Sequence, residues 1–251
     1  FVTHTHGDHV LGLPGLLETW DFNDRDRAVA IHAPAGTRST IEDLVSITGD
    51  DPSFPVRINQ VSAGDTVLDG DGYEVRAIHT EHRCASVGYT VVEDDRKGRF
   101  DREKAEEELG IEPGPKYSKL HRGEAIEHEG QTIQPEEVVG PDRPGRTVVY
   151  TGDTRPVDPV IEAADGADLL IHDATFAEDW ADRARQTAHS TAKEAAEVAT
   201  EAGVQQLALT HISTRYGGNP APILDDAREH FDGEVFVAED GQRIEVPFPD
   251  E

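Results

Sequence analysis

Residues 3–9 read Thr3-His4-Thr5-His6-Gly7-Asp8-His9, three imidazoles and a carboxylate directly behind the apolar pair Phe1-Val2. Hydrogen bonding alone does not call for such a density of ring nitrogens. Two histidines at i and i+2 share one side of an extended chain, and a tight turn at Gly7 is expected to carry Asp8 and His9 to a second ligand position. That geometry suits two adjacent metal ions. Imidazole and carboxylate donors without thiolate favour zinc over manganese or iron. The single cysteine, Cys84, excludes both an internal disulfide and a Cys-rich zinc module, and fits a cytoplasmic protein.

Outward from this cluster the pattern is that of an α/β protein. Val10, Leu11, Leu13, Leu16 and Leu17 predict a helix starting near Leu13 or Pro14, which leaves the cluster in a strand-to-helix loop. Short strands are expected at Ala28–His32, Val56–Val61, Asp65–Leu68, Tyr73–Thr80 and Ser86–Val92, with a helix over Ser39–Thr48. From Glu93 to about Arg146 the chain turns charged and rich in Gly and Pro, with one helical stretch near Arg102–Leu109 and four of the five lysines. It reads as an inserted arm, drawn at residues 95–138. Buried strands then end at Asp153, Asp173 and His211, where α/β proteins place ligands. A helix over Thr191–Ala202 is N-capped by Ser190 or Thr191 and closed by Gly203. A helix over Pro222–His230 and strands Glu234–Ala238 and Arg243–Val246 complete the pattern.

The charge balance, 23 basic against 51 acidic residues, would ordinarily repel a polyanion. A high-salt interior removes the objection, because at about 1 M ionic strength the Debye length falls to about 3 Å and local contacts decide binding. No run approaches the roughly 18 consecutive apolar residues of a membrane span. Phe1-Val2 reads as the end of an apolar strand, so the chain is expected to open mid-domain.

His-x-His-x-Asp-His after an apolar strand resembles the signature of the metallo-β-lactamase fold, an αβ/βα sandwich of hydrolases. The resemblance implies that His4, His6 and His82 hold one zinc, that Asp8, His9 and His211 hold the other, and that Asp153 bridges them. His79, three residues before His82, competes with it on sequence grounds. Gly12-Leu13-Pro14-Gly15-Leu16-Leu17, Thr151-Gly152-Asp153-Thr154-Arg155-Pro156, His172-Asp173-Ala174-Thr175-Phe176, His189-Ser190-Thr191 and Thr210-His211-Ile212-Ser213-Thr214-Arg215-Tyr216 are similar to motifs of the ribonuclease Z family, endonucleases that trim the 3′ end of precursor tRNA. In the arm, Gly110-Ile111-Glu112-Pro113-Gly114-Pro115-Lys116-Tyr117 is similar to that family's tRNA-binding exosite. Two departures stand out. On this resemblance the family's first strands, ahead of the metal motif, are expected to be absent from this sequence, and Asp173 stands where the family has Glu.

The resemblance implies two Zn2+ ions per chain, precursor tRNA as substrate and a homodimer. Asp8 would accept or orient the proton of the attacking water, His189 would protonate the leaving 3′ oxygen, and Asp173 would orient His189. The alternative readings are a histidine at a helix N-terminus capped by Ser190-Thr191 for His189 and a helix cap for Asp173. Lys116, Lys119 and Arg122 form a basic strip suited to phosphate contacts, or else a solvated loop face. Arg215 suits a substrate phosphate or a structural ion pair. The alternative function is a small-molecule metallohydrolase, a phosphodiesterase or arylsulfatase, on the same fold; it has no evident use for the arm.

Overall fold

The computed structural model describes residues 1–249, which fall into two compact units, residues 1–92 with 146–247 and residues 93–145 with 248–249. Along the first unit run α1 (Gly7–Val10), α2 (Gly12–Phe22), β1 (Val29–Pro34), α3 (Arg38–Val45), β2 (Val56–Val61), β3 (Thr66–Asp69), β4 (Tyr73–His79) and β5 (Val87–Glu93). The second unit contributes α4 (Pro115–His121), β6 (Ile126–His128) and β7 (Gln131–Ile133). The first then resumes with β8 (Thr147–Tyr150), α5 (Asp158–Ala163), β9 (Leu169–Asp173), α6 (Ala181–Thr187), α7 (Ala192–Ala202), β10 (Gln206–Thr210), α8 (Ala221–Arg228) and β11 (Glu234–Val237).

A seven-stranded mixed sheet has the order β11-β10-β9-β8-β5-β4-β3, and β1 pairs in parallel with β2 as a separate sheet. Alternation along the strands explains the layering. Ile78 of β4 points into a cluster with Val149, Leu170, Leu207 and the alanine face of α7, whereas its neighbour Ala77 joins Val75, Val87, Tyr89 and Val61 of β2. The far side of the small sheet, Val29, Ile31, Ala33, Val56 and Ile58, packs on Ile41 and Leu44 of α3. Helices therefore cover the outer face of each sheet, which is the αβ/βα sandwich.

Helix α7 buries Ala192, Ala195, Ala196, Val198, Ala199 and Ala202, a stripe at helical spacing. Thr191 and Glu194 form a reciprocal capping box, and Gly203 closes the helix at φ +67°. Such a cap contributes about 1 kcal/mol.

Several expected boundaries are corrected. The helix after the histidine motif begins at Gly12 rather than Leu13 or Pro14, and a separate turn of helix, α1, already takes up Gly7–Val10. Pro14 is accommodated because the first-turn N–H groups have no intrahelical acceptor. Residues 243–246 alternate like a strand but pair with no strand among the described residues; Arg146 Nη1 instead donates to the Val246 carbonyl at 3.1 Å.

The second unit carries more structure than one helical stretch. Residues 104–108 form a single π-helical turn, α4 starts at Pro115 in the first-turn position that proline favours, and β6 and β7 form a hairpin. Its own core comprises Ala105, Ile111, Leu120, Ile126, Ile133 and Val138, with Phe100, Leu109, Tyr117 and Val139 packed against it. Bridges between Arg96 and Arg143 and between Phe100 and Val139 close its base, so it extends beyond 95–138 on both sides.

Candidate active site

The histidine motif is pinned from both ends. Val2 N–H donates to the His32 carbonyl at 2.8 Å, and Thr3 O accepts from Val87 N–H at 2.9 Å, so the chain reaches His4 as an extended segment. His6 remains extended (φ −66°, ψ 151°), and helix α1 starts behind it, lifting Asp8 and His9 back over the same space. A helical turn therefore does what a tight turn at Gly7 was expected to do.

Asp153, 2% exposed, lies at the centre. Its Oδ2 is 3.5 Å from His4 Nε2, 3.4 Å from His9 Nε2, 3.4 Å from His211 Nε2 and 3.9 Å from His82 Nε2. His82 Nε2 is also 3.1 Å from His6 Nδ1, and Asp8 Oδ2 is 3.5 Å from both His9 Nε2 and His211 Nε2. These separations bracket the edge of about 3.3 Å expected between ligands about 2.0–2.1 Å from a tetrahedral metal. His4 Nε2, His9 Nε2 and Asp153 Oδ1 are buried without a hydrogen-bond partner. Buried nitrogens and a carboxylate oxygen left unpaired are costly, and sharing a cation satisfies all three. His4, His6, His82 and Asp153 converge as one potential metal group, and Asp8, His9 and His211 as another.

The electrostatics fit ligands. Burial pushes His4 down to about 4 against the pull of Asp153, which keeps its nitrogen available. Burial also lowers His82. Asp153 is raised by burial, but the His9, His211 and His4 imidazoles outweigh that and hold it at about 2. The same carboxylate draws His9 upward.

The competition between His79 and His82 resolves by position. His79 is exposed at the end of β4, whereas His82 Nδ1 lies 2.8 Å from the Ala188 carbonyl, which commits its Nδ1–H and leaves Nε2 to the cluster. Ala188 holds φ +55°, a left-handed conformation rare for alanine. That kink aims its carbonyl at His82 while the next residue, His189, turns to Asp173. His211 likewise sits at φ +60°.

Asp173 is fully buried and saturated with donors. Its Oδ2 accepts from His189 Nδ1 at 2.8 Å and Thr154 N–H at 3.1 Å; Oδ1 accepts from Thr175 N–H at 2.9 Å and Thr175 Oγ1 at 2.6 Å. A carboxylate so occupied orients its neighbours better than it ligates a metal. Arg155, unassigned from sequence, donates to the His189 carbonyl and grips Glu194 with both Nη atoms. Burial raises Glu194, but that guanidinium and the Thr191 N–H hold it below the usual range. Gly152 is needed at φ +62°, since a Cβ there would stand 2.7 Å from Thr3 Cβ, and Thr3 Oγ1 is 3.1 Å from His4 Nδ1.

Among the described residues Arg215 makes no ion pair, but it is not free in space. Its guanidinium lies over the Trp180 ring, 3.7 Å from the centroid, with Phe176 at 5.3 Å. In the second unit, Lys116 Nζ is 2.8 Å from His128 Nδ1, and Arg122 Nε donates to Glu124 at 3.0 Å; Lys119 is exposed.

Comparison with known proteins converges. A family model described as "Beta-lactamase superfamily domain" matches residues 1–100 and 118–212. The chain is similar to Ribonuclease Z of Haloarcula marismortui, 70% identical over 100% of this chain and 80% of the relative, and to that of Haloferax volcanii, 59% identical over 100% and 79%. The salt-adapted composition agrees with these haloarchaeal relatives. The crystal structure of the human tRNase Z short form superposes with a TM-score of 0.65 at 25% identity, covering 99% of this chain and 78% of that one.

Proposed function

Because the chain belongs to the ribonuclease Z family of the beta-lactamase superfamily, we infer that it is a hydrolase, an endoribonuclease that cuts precursor tRNA to leave a tRNA 3′-OH and a 5′-phosphorylated trailer. The observation that carries this reading is the convergence of five imidazoles on Asp153, with Asp8 beside two of them and the Asp173–His189 pair alongside, in a chain 70% identical to a ribonuclease Z. The small-molecule alternative is not favoured, since relatives at 57–70% identity over the whole chain carry the ribonuclease name.

The donor set fits a divalent metal. We propose two zinc ions, one held by His4, His6 and His82, the other by Asp8, His9 and His211, with Asp153 between them. When bound, such a pair would lower the pKa of water so that hydroxide is available to attack phosphorus at neutral pH, and would offset charge on the transferring phosphate. Asp8, exposed at the mouth of the cluster, would orient the attacking water and accept its proton. His189 commits Nδ1–H to Asp173, so Nε2 is the atom left to hand a proton to the leaving 3′ oxygen. Lys116, Lys119 and Arg122 would meet substrate phosphates, positioning the tRNA without reading its sequence. Arg215, over the Trp180 ring, would offer its guanidinium to a phosphate. Purified protein incubated at high salt with a 3′-extended tRNA should release the trailer, and a chelator should stop it; cleavage that survives thorough chelation would overturn the metal-dependent mechanism.

No helix among the described residues is long and apolar enough to cross a membrane. A cytoplasmic setting is proposed from the lone Cys84 and the tRNA substrate. A homodimer is proposed on the outer face of α1–α2, where Leu11, Leu16 and Phe22 are 65%, 43% and 88% exposed and Gly12 and Gly15 have open space above them. Leu16→Asp is expected to yield monomers by sedimentation; an unchanged mass, or a wild type already monomeric, rejects this face.

A further inference from the structure

Thr175 sits 6% exposed between two groups that the proposed mechanism uses separately. Its hydroxyl donates to Asp173 Oδ1 at 2.6 Å, because an ionised carboxylate can only accept. With its one proton spent there, Oγ1 has only lone pairs for His211 Nδ1, which lies 2.8 Å away. The direction of the whole chain is thereby fixed: His211 Nδ1–H to Thr175 Oγ1, and Thr175 Oγ1–H to Asp173 Oδ1. Across the same carboxylate, Oδ2 takes Nδ1–H of His189. His211 is thus left with its Nε2 lone pair facing Asp8 Oδ2 and Asp153 Oδ2, at 3.5 and 3.4 Å.

We propose that Thr175 is a positioning residue for the reaction: one hydroxyl sets the tautomer and ring orientation of the metal ligand His211 and ties it to the Asp173–His189 pair. A metal-binding imidazole held at its other nitrogen is a more basic and better aimed ligand, and loss of such a partner typically weakens metal binding about 10–100-fold. The backbone adds a reason for needing the brace. His211 is at φ +60°, off the conformations a histidine prefers, so nothing in its own φ and ψ holds the ring where Thr175 holds it. The position also admits no free choice of side chain, because the hydroxyl must donate and accept at once while the Thr175 N–H serves the same Oδ1 at 2.9 Å.

The proposal rests on reading His211 as a metal ligand, and its test separates the two. Thr175→Val keeps the shape and removes the hydroxyl; Thr175→Ser keeps the hydroxyl. In the metal-loaded full chain, competition against a zinc chelator should show one of the two ions held about 10–100-fold more weakly in Thr175→Val and within about threefold of wild type in Thr175→Ser. On a 3′-extended tRNA, kcat should fall in Thr175→Val with KM unchanged, and Thr175→Ser should restore it. In a His211→Ala background, Thr175→Val should weaken metal no further. If Thr175→Val loses its cooperative melting transition, Thr175→Cys against Thr175→Ser makes the same comparison at nearly equal size. Metal held as tightly without the hydroxyl as with it overturns the proposal. A wild-type chain that binds no metal, or a His211→Ala variant that binds both ions, overturns instead the ligand reading beneath it.

Discussion

Asp153→Asn is expected to release both metal ions and to cut precursor-tRNA cleavage by at least about a thousandfold, which is about 4 kcal/mol of lost transition-state stabilisation at 1.36 kcal/mol per decade. The size follows from how many groups meet at one oxygen. Oδ2 stands within 3.4–3.9 Å of ring nitrogens from His4, His9, His211 and His82, drawn from both candidate metal groups. The substitution preserves shape and hydrogen-bonding reach, but it removes the one negative charge that four imidazoles surround. His82→Ala should lower occupancy mainly of the ion shared with His4 and His6. His79→Ala, at an exposed strand end, should change neither metal content nor rate. Elemental analysis of the dialysed proteins with single-turnover cleavage checks all three; two ions retained by Asp153→Asn would exclude a bridging role.

Which parts of this site are legible in the sequence depends on the range of the interaction. His4, His6, Asp8 and His9 stood out because their neighbours in sequence are also their neighbours in space. The order of Asp153, Asp173 and His211 at strand ends was legible for the same reason that the strands were: each ends or follows a largely apolar run in β8, β9 or β10. His82 could not be chosen over His79 locally, because what selects it is the carbonyl of Ala188, 106 residues away. Thr175 and Arg155 lay in plain view inside recognised motifs, yet their partners His211, His189 and Glu194 are 36, 34 and 39 residues distant. Two expectations fail for different reasons. The glycine at position 7 suggested a turn, but with Asp8 in the first turn of α1 and His6 extended ahead of it, the chain enters a helix. Residues 243–246 alternate in polarity, yet alternation makes a strand only where a neighbour offers its edge.

Excision of residues 94–145 in favour of a short Gly-containing turn should leave hydrolysis of a small phosphodiester within a few-fold of wild type, while lowering kcat/KM for precursor tRNA by about a hundredfold or more. The first half rests on the sheet. β5 and β8 are antiparallel partners with Val92 opposite Thr147, so the two ends of the excised segment are adjacent, and a hairpin loop of two to five residues can join them. The segment also keeps a core of its own, from Ala105 and Ile111 to Ile133 and Val138, so its removal takes those apolar groups away together. The second half rests on the assignment of the arm to substrate. A tRNA offers the enzyme far more backbone than the scissile phosphate, and binding energy from remote contacts is what positions the reacting group. At the salt concentrations that suit so acidic a chain, a Debye length of about 3 Å leaves only direct contacts to do this, and Lys116, Lys119 and Arg122 are where the second unit would make them. Parallel kinetics on the two substrates decide the matter. Equal loss of both activities would make the segment part of the catalytic fold, and undiminished tRNA cleavage would leave it without a role in holding substrate.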